Sequence, residues 1–385
     1  MAINVIVNKT KRIVPFREEG LTLVILKDAV AKENDDKGVP VRVTSLNQLH
    51  ETYTASDVSG KVELYSAEYL LSIGVPLLVY APIDGTFDLK NDGAVINDVE
   101  FYNYKQVIAP NQLISSSSTQ DNLTGIVSTG GDNDLGLDVR LYLDVALNSG
   151  TVPLDLGSKY THNLEYCFNG AMIDFPSLVV EDIKGSVGYS GVPASTILAG
   201  RKARLLEEKT PWIPVAGYEN GVIPEATSVK VSVSTKLKEE LQESGINVLL
   251  YRYGVGVVFV TQNTRAAGDG VFKRSNNATQ ALWLKDVVGR IAAKYEYKPN
   301  NSITWKHLKL DLVKLFDSMY DVGGIGEPAN ILVGDEVTTQ EELREGILRA
   351  LVEYKPTPLA EAIIINVNVI EEQGVSVELD AGGAE

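Results

Sequence analysis

The stretch INVLLYRYGVGVVFV, residues 246–260, decides the fold class of this chain. Its two apolar runs meet at Gly254 and Gly256, and apolar runs bounded by glycine predict strands. The segment just before it, STKLKEELQES (residues 234–244), predicts a short helix that ends at Gly245. A helix followed by two strands is therefore expected in this part of the chain.

Helical periodicity dominates the sequence after this stretch. Residues 279–294 predict a helix whose apolar face consists of Leu284, Val287, Val288 and Ile291. Ser302 is expected to cap a second helix that ends at residues 323–324. Its apolar stripe consists of Trp305, Leu308, Leu312, Leu315, Phe316 and Met319. Thr338 and Glu341 have the spacing of a capping box, which predicts the start of a third helix.

The upstream half of the chain is less regular. Residues 21–26 (LTLVIL) and 74–82 (GVPLLVYAP) predict strands, and residues 66–72 predict a short helix. Residues 84–136 are rich in Asn, Asp, Gly and Ser, and loops are predicted there at residues 115–118 and at STGGDNDLG, residues 128–136. Short apolar runs suggest further strands at residues 139–143 and 177–180. The order of these strands in a sheet does not follow from the sequence.

Both ends of the chain show strand patterns. Apolar residues alternate with polar ones over much of two segments, at Ile3, Val5 and Val7 and at Ile363, Ile365, Val367 and Val369. A last alternation follows at Val375, Val377 and Leu379. These segments predict terminal strands outside the domain cores. From the residues alone, the strands could pair within their own domain or add to a neighbouring molecule.

Length and charge restrict the possible partners. With 385 residues the chain fits two or three domains. Its 51 acidic against 35 basic residues, a net charge of −16, argue against nucleic acid or an anionic membrane as the main partner. No apolar run approaches the ~20 residues of a membrane span. The N-terminus lacks the order of a signal peptide, so we expect residence in a cytoplasm, at least during assembly.

The sequence predicts no catalytic, metal or cofactor site. Its three histidines, His50, His162 and His307, lack metal-ligand spacing, and the lone Cys167 is expected to pack as a buried hydrophobe. The segment GDNDLGLD, residues 131–138, has its glycine and final ligand position wrong for a calcium loop. The chain also lacks a phosphate-binding loop and the Gly-x-Ser-x-Gly of a nucleophile elbow.

Four ordered segments carry a resemblance to a known family. They are VPASTILAGRKARLLEEKTPWIPVAGYENGVI (192–223), ESGINVLLYRYGVGVVFVTQNTRA (243–266), KRSNNATQALWLKDVVGRI (273–291) and VTTQEELREGILRALVEYKPTPLAEAIIINVNV (337–369). In this order they resemble the tail sheath family of contractile phage tails, pyocin-like particles and related injection systems. The resemblance covers roughly half of the chain.

The resemblance implies a mixed α/β (α+β), multi-domain fold. An N-terminal arm with the first strands would occupy residues 1–27, and a more β-rich, variable outer region residues 28–230. A C-terminal α/β sheath domain would follow at 231–360, with a C-terminal strand arm at 361–385. In such proteins the arms add strands to sheets of neighbouring subunits, which tips the open question about the terminal strands toward exchange.

The implied function is structural, without enzymatic activity or cofactor. The chain would polymerise as hexameric rings stacked in a helical sheath around a tail tube, and contract to drive the tube through a host envelope. Its partners would be itself, the tube protein, and baseplate and tail terminator proteins. It would reside in a virion tail after assembly in the host cytoplasm. The implied tube contacts near the long helix are Lys306, Lys309 and, more weakly, Lys314.

Other readings of the sequence stay open at this point. Another tail or baseplate structural protein would also polymerise, although a tube subunit is typically much shorter and lacks the ordered C-terminal block. An acidic hydrolase would use some of the many carboxylates, although no pair stands out. An adhesin made of β-sandwiches would explain the Asn- and Gly-rich middle but not the helices after residue 279.

Overall fold

The computed structural model describes most of the chain in two compact units. The described residues are 21–33, 36–98, 103–114, 122–129, 131–146, 160–174, 191–268 and 270–359, with the backbones of two later strands, 365–370 and 376–381. The N-terminal unit is Met1–Gly289 and the C-terminal unit is Arg290–Glu385. In the described part of the chain, no helix has both the length and the apolar character needed to cross a bilayer.

The strands and helices have the following bounds. The strands are β1 Thr22–Ile25, β2 Val30–Ala31, β3 Val41–Val43, β4 Tyr53–Thr54, β5 Leu77–Tyr80, β6 Gln106–Ile108, β7 Arg140–Asp144, β8 Leu164–Phe168, β9 Gly170–Ile173, β10 Val192–Pro193, β11 Val222–Ile223, β12 Ala226–Val229, β13 Ile246–Arg252, β14 Gly256–Phe259, β15 Asn330–Val333, β16 Ala350–Glu353, β17 Ile365–Ile370 and β18 Ser376–Ala381. The helices are α1 Leu46–Thr52, α2 Val58–Ser72, α3 Leu89–Ile96, α4 Ala194–Glu208, α5 Gly217–Asn220, α6 Thr235–Glu243, α7 Ser275–Ala293, α8 Ser302–Asp321 and α9 Gln340–Arg344.

A nine-stranded mixed sheet forms the centre of the N-terminal unit. Its order within the described residues is β11-β14-β13-β8-β7-β6-β1-β5-β3. The six central strands, β13, β8, β7, β6, β1 and β5, run parallel to one another. At one edge β14 and β11 are added antiparallel, and at the other edge β3 is added antiparallel. Parallel strands need helices on both faces of the sheet, so they are buried on both sides and read as continuous apolar runs.

Successive side chains of one strand enter two different cores. Val24 of β1 packs in the core that contains α2 and α4, whereas Leu23 and Ile25 pack in the core that contains α3 and α6. This follows from the period of two in a strand. The N-terminal unit therefore has a complete apolar layer on each face of its sheet.

Helix α2 begins earlier than the sequence predicts. It starts after Asp57, whose side chain accepts a hydrogen bond from the Gly60 N–H at 2.8 Å, and so covers more than residues 66–72. The sequence does not predict this first part of the helix because Glu63 and Glu68 are charged residues, which usually face solvent. In the structure both side chains are fully buried. One Glu63 carboxylate oxygen accepts three successive backbone N–H groups just after β1, at 2.9–3.0 Å.

The predictions around residues 234–260 are confirmed. Ser234 caps α6 by accepting from the Leu237 N–H, and α6 ends before Gly245. Strands β13 and β14 pair antiparallel across a turn in which Gly254 and Gly256 have φ of 78° and 103°. Only glycine adopts this left-handed region without strain, which explains why two glycines occupy the turn.

Other local predictions need correction. Helix α3 and strand β6 lie in a region for which the sequence predicts no helix or strand. The loop predicted at residues 128–136 has no helix or strand among its described residues, and residues 115–118 lie outside the described part of the chain. Asn301, not Ser302, caps α8. The Asn301 side-chain oxygen accepts hydrogen bonds from the N–H groups of Ile303 and Thr304. The capping box of α9 lies one residue later than predicted, at Thr339 and Glu342, because Thr338 is buried and its hydroxyl accepts from the Arg349 N–H.

The C-terminal unit is built around α8. Of its predicted apolar stripe, Leu308, Leu312, Leu315, Phe316 and Met319 are buried and Trp305 is half-buried. Strand β15 packs against α8 through Ile331 and Val333, and it pairs antiparallel with β16. The stripe thus secures a two-stranded sheet to one long helix.

The predicted domain boundaries stay a prediction. The segments 1–27, 28–230, 231–360 and 361–385 concern regions that vary or exchange between subunits, which one chain alone does not test. Within one chain, the large sheet takes strands from both sides of residue 230, since β13 pairs with β8 in parallel.

Candidate assembly surfaces

The predicted arm residues fall mostly outside the described part of the chain. Ile3, Val5, Val7 and Ile363 lie outside the described residues. Ile365, Val367 and Val369 lie in β17, so the strand predicted there is confirmed. Their role in exchange between subunits stays a prediction.

Strands β17 and β18 form an antiparallel hairpin of six residue pairs. In five of these six pairs the register opposes apolar to apolar or polar to polar residues, for example Val367 to Leu379 and Asn368 to Glu378. In the described part of the chain, these two strands pair only with each other. Their outer edges therefore carry backbone donors and acceptors that can accept a further strand.

A second two-stranded sheet, β15 and β16, has the same property. One face of β15 is buried against α8, while β16 is largely exposed, with Leu351 44% accessible. As far as the structure describes the chain, no third strand joins this sheet. A two-stranded sheet is marginal by itself, and a third strand would add both hydrogen bonds and apolar cover.

The three predicted tube-contact lysines have different surroundings on α8. Lys309 forms an ion pair with Glu336, its Nζ lying 2.8 and 3.1 Å from the two carboxylate oxygens. This ammonium and the Val333 N–H hold the pKa of Glu336 below its usual value. Lys314 lies 3.7 Å from Asp311. Lys306 is exposed and forms no ion pair with another described residue.

Two exposed apolar side chains lie on the same helix. Ile303 is 64% exposed and Leu310 is 54% exposed. They are seven residues apart, which places them on one face two turns from each other, and Lys306 and Lys314 continue that face at spacings of three and four. We call Ile303, Lys306, Leu310 and Lys314 the α8 strip. It fits a partner with apolar groups bordered by carboxylates.

Reasoning from the sequence found the lysines of the α8 strip but not its apolar members. The signal was present, because the spacing of Ile303 and Leu310 places them away from the stripe that includes Leu308 and Leu312. Single apolar residues on a surface are common, however, so the sequence pattern alone does not distinguish this face from others.

A buried polar network joins three strands of the N-terminal unit to the start of α7. Arg140 of β7 forms an ion pair with Glu165 of β8, and its other terminal nitrogen donates to the His162 carbonyl at 2.5 Å. Glu165 also accepts from Ser275 at 2.6 Å and from Asn247 at 3.2 Å. Its partners satisfy both carboxylate oxygens, so the network acts as a fixed internal connection.

A second buried carboxylate lies at the start of α4. Asp144, at the end of β7, accepts hydrogen bonds from the Ser195 N–H at 3.0 Å and from its hydroxyl. It thus supplies the cap that Pro193, the residue before α4, does not provide. Burial raises the pKa of Asp144 to about 6. The geometry explains this carboxylate as structural.

Cys167, His162 and His50 make contacts within the N-terminal unit. Cys167 is fully buried, as predicted, and burial raises the pKa of its thiol well above the ordinary value. His162 stacks on Phe272 at 5.0 Å between ring centres, and His50 lies 2.8 Å from Glu68. Within the described ranges, no group of three or more His, Cys, Asp or Glu is arranged to hold a metal ion.

Comparison with known proteins identifies the fold. No family model matches the chain. The tail sheath protein of Vibrio phage KVP40 is 26% identical over 135 residues, which are 35% of this chain. The match spans only a fifth of the length of that curated relative.

Solved structures agree over a much longer stretch. A chain in the anti-feeding prophage baseplate, 6-fold symmetrised, has a TM-score of 0.72 at 18% identity and covers 90% of this chain and 92% of its own. A chain in the helical sheath of the same prophage, in the contracted state, has a TM-score of 0.68 at 19% identity, with 90% and 91% covered. The predicted resemblance and the mixed α/β fold are confirmed.

Proposed function

We propose that this chain, which has the fold of sheath proteins from contractile particles, is itself a sheath subunit. It polymerises helically around a tube, as stacked hexameric rings, and contracts to drive the tube through an envelope. The observation that carries the proposal is the likeness to a helical sheath chain over nine-tenths of the chain's length. The relatives are structural proteins, and the role proposed here is structural as well.

The C-terminal unit supplies a physical basis for polymerisation. It contains two small sheets with unpaired edges in its described part, β15–β16 and β17–β18. We assign the N-terminal arm (Ile3, Val5, Val7) and the C-terminal arm (Ile363, Ile365, Val367, Val369) as strands that join such edges on neighbouring subunits. Backbone hydrogen bonds give affinity, and the alternating side chains give register.

Arm contacts that run from one ring to the next extend the assembly into a filament. Each arm contact is heterologous, and a heterologous contact whose rotation does not close produces a helix. A subunit held by arms can also rotate against its neighbours while the strands stay paired. Contraction is then a rigid-body change between two packings, with the extended packing metastable.

The tube contact is assigned to the α8 strip and its flank. Lys306 and Lys314, with Lys309 beside them, face carboxylates on the tube, while Ile303 and Leu310 supply apolar contact. Lys309 must first leave Glu336, so its share of the contact is smaller than that of Lys306. Baseplate and terminator proteins are the proposed partners at the two ends, in a virion tail or an extracellular injection particle.

Electron microscopy of the purified chain tests the proposal. We expect hollow striated cylinders, and we expect deletion of residues 1–11 to abolish them while leaving the N-terminal unit folded by circular dichroism. Small discrete particles at high concentration, with and without a tube protein, would reject the sheath function.

Charge reversal tests the tube contact separately. The variant Lys306→Glu/Lys309→Glu should form cylinders alone but co-assemble poorly with a tube protein at low salt. The matched control Lys90→Glu/Lys236→Glu changes two exposed lysines of the N-terminal unit. Unchanged co-assembly of the first variant would remove the lysines from the contact.

A baseplate role is the second candidate, because a baseplate chain shares the fold at a TM-score of 0.72. A baseplate component forms rings of fixed size, whereas a sheath subunit forms cylinders of variable length. The length distribution of assemblies in the same micrographs distinguishes the two roles.

A further inference from the structure

Charge is divided along the sequence of the C-terminal unit. Residues 290–314 contain six lysines and arginines against two acidic residues. Residues 315–385 contain three basic against fifteen acidic residues, and the last segment, 361–385, has six acidic residues and no lysine or arginine. A chain with a net charge of −16 thus has one basic segment and one strongly acidic segment in the same unit.

The basic segment contains a turn with an unusual tyrosine. We call residues 294–298 (KYEYK), between α7 and α8, the tyrosine turn. Tyr297 is fully exposed and has φ of 58°, in the left-handed region that a bulky side chain rarely adopts. Such a conformation persists only where the surrounding structure imposes it.

Neighbouring contacts hold the tyrosine turn in place. The Tyr295 hydroxyl donates to Asp311 of α8 at 2.8 Å. Asn300 donates to the Ile347 carbonyl at 3.2 Å and accepts from the Trp305 indole N–H at 2.7 Å. The exposed Tyr297 ring is therefore presented on a fixed frame, which lowers the entropy cost of binding through it.

Two lysines lie near Tyr297 in the sequence, one before it and one after it. Lys298 lies over the Tyr295 ring, its Nζ 4.4 Å from the ring centre, and Lys294 is exposed at the end of α7. Glu296 is the single acidic residue of the turn. Exposed tyrosines are common anchors of interfaces, and the two lysines favour an acidic partner for this one.

We propose that the tyrosine turn binds the acidic C-terminal segment, residues 361–385, of a second copy of this chain. Charge complementarity selects this occupant, since every ionisable side chain of the segment is a carboxylic acid. Its hairpin carries Glu378 and Asp380 at alternate positions of β18, a spacing that presents carboxylates along one side of a strand. The inference rests on the proposed self-assembly and adds the electrostatic contact that guides the C-terminal arm.

The contact has a direction, because the turn of one copy meets the segment of the next. It therefore propagates along a polymer and weakens with salt, as contacts between exposed charges do. The tyrosine turn shares no residue with the α8 strip, to which the proposed function assigns the tube contact.

A charge swap between copies tests the contact in the full-length chain. Variant A is Lys294→Glu/Lys298→Glu, and variant B is Glu378→Lys/Asp380→Lys. Each variant alone places like charges where positions 294 and 298 of one copy meet positions 378 and 380 of the next, so we expect the concentration needed for association to rise about tenfold in low salt. An equimolar mixture restores opposite charges at every contact and should associate like the wild type. Sedimentation velocity measures association below the concentration at which cylinders form.

Controls separate this inference from the proposed function. Lys90→Glu/Lys236→Glu has the same charge change as variant A and should associate normally, and Glu378→Gln/Asp380→Asn should weaken association without disturbing the strand. A mixture that associates no better than its components overturns the contact, even if wild-type cylinders form. Rescue without cylinders in the wild type supports the contact and rejects the sheath function.

Discussion

The two units of the chain differ in how far their strands are buried and paired. In the N-terminal unit, helices cover both faces of the nine-stranded sheet, and buried carboxylates find partners inside the unit. In the C-terminal unit, the described strands form two sheets of only two strands each, and Leu351 of β16 is 44% exposed. Among the described residues, the large sheet is covered on both faces, whereas the two small sheets keep unpaired edges, to which strands of neighbouring subunits would add under the proposed function.

This difference assigns separate tasks to the two units. A unit whose polar and apolar groups are satisfied internally moves as a rigid body. A unit with open sheet edges supplies the connections between such bodies. The proposed contraction needs both, since rigid bodies must change their packing while their connections persist.

Loss of the buried ion pair should have the largest effect and should be confined to the N-terminal unit. Arg140→Ala leaves Glu165 charged and buried, which costs about 3–5 kcal/mol. The free energy of unfolding from urea titration measures this loss. Lys285→Ala, which removes an exposed ion pair with Asp138, is the control and should change stability little. Equal effects of the two variants would contradict an internally closed unit.

The free energy of unfolding of the N-terminal unit should depend on pH through the titration of Glu63. Burial raises the pKa of Glu63 from 4.5 to about 7. The folded state therefore holds a proton that the unfolded state releases, so this group's stabilisation is complete below pH 4.5 and is lost as pH rises through about 7. We expect a fall of about 3 kcal/mol across that window. Urea titrations at several pH values measure this fall. The fall should be absent in Glu63→Gln and unchanged in Glu239→Gln, a control at an exposed position.

A glycine substitution should act on the C-terminal unit alone. Gly334 has φ of 76°, and a Cβ there would lie 2.5 Å from the Trp305 ring. Gly334→Ala should therefore cost more than the ~1 kcal/mol of an alanine with positive φ. Gly346→Ala, with φ of 83° and open space around it, measures that strain without the clash. The fluorescence of Trp305 should report the difference, and identical effects would argue against the packing of Trp305 on Gly334.

The smallest change is expected at the exposed ion pair of α8. Lys309→Ala removes the contact with Glu336 and should leave the unfolding transition nearly unchanged. If the tube contact is correct, the same variant should reduce co-assembly less than Lys306→Ala does. A larger defect from Lys309→Ala would reverse the assignment of these two lysines.

Local structure was predictable where neighbouring residues determine it. The β13–β14 hairpin follows from Gly254 and Gly256, and α6 follows from Ser234 and Gly245. The start of α2 was missed because Glu63 is buried by contacts with backbone groups about 35 residues earlier in the chain, which periodicity cannot reveal. The caps of α8 and α9 were each misplaced by one residue, since adjacent polar residues compete for the same N–H groups.

The candidate surfaces also combine features that the sequence predicts with features that depend on tertiary contacts. The lysines of α8 and the strand at residues 365–370 followed from helix and strand patterns. The pairing of Lys309 with Glu336, and the left-handed Tyr297, depend on chain segments that meet only in the folded unit. A sequence pattern finds a charged or aromatic residue but does not show which neighbours hold it.

By itself, the sequence determined the hairpin at residues 246–260, the long amphipathic helices and the strand-forming C-terminal segment, because each depends on residues close together in the chain. Only the tertiary structure decided the order of the parallel sheet, the burial of Glu63, Arg140 and Glu165, and the open edges of the two small sheets. Parallel neighbours come from distant segments, so their pairing is a property of global packing. Whether a strand edge stays free is likewise settled by what the rest of the fold brings beside it.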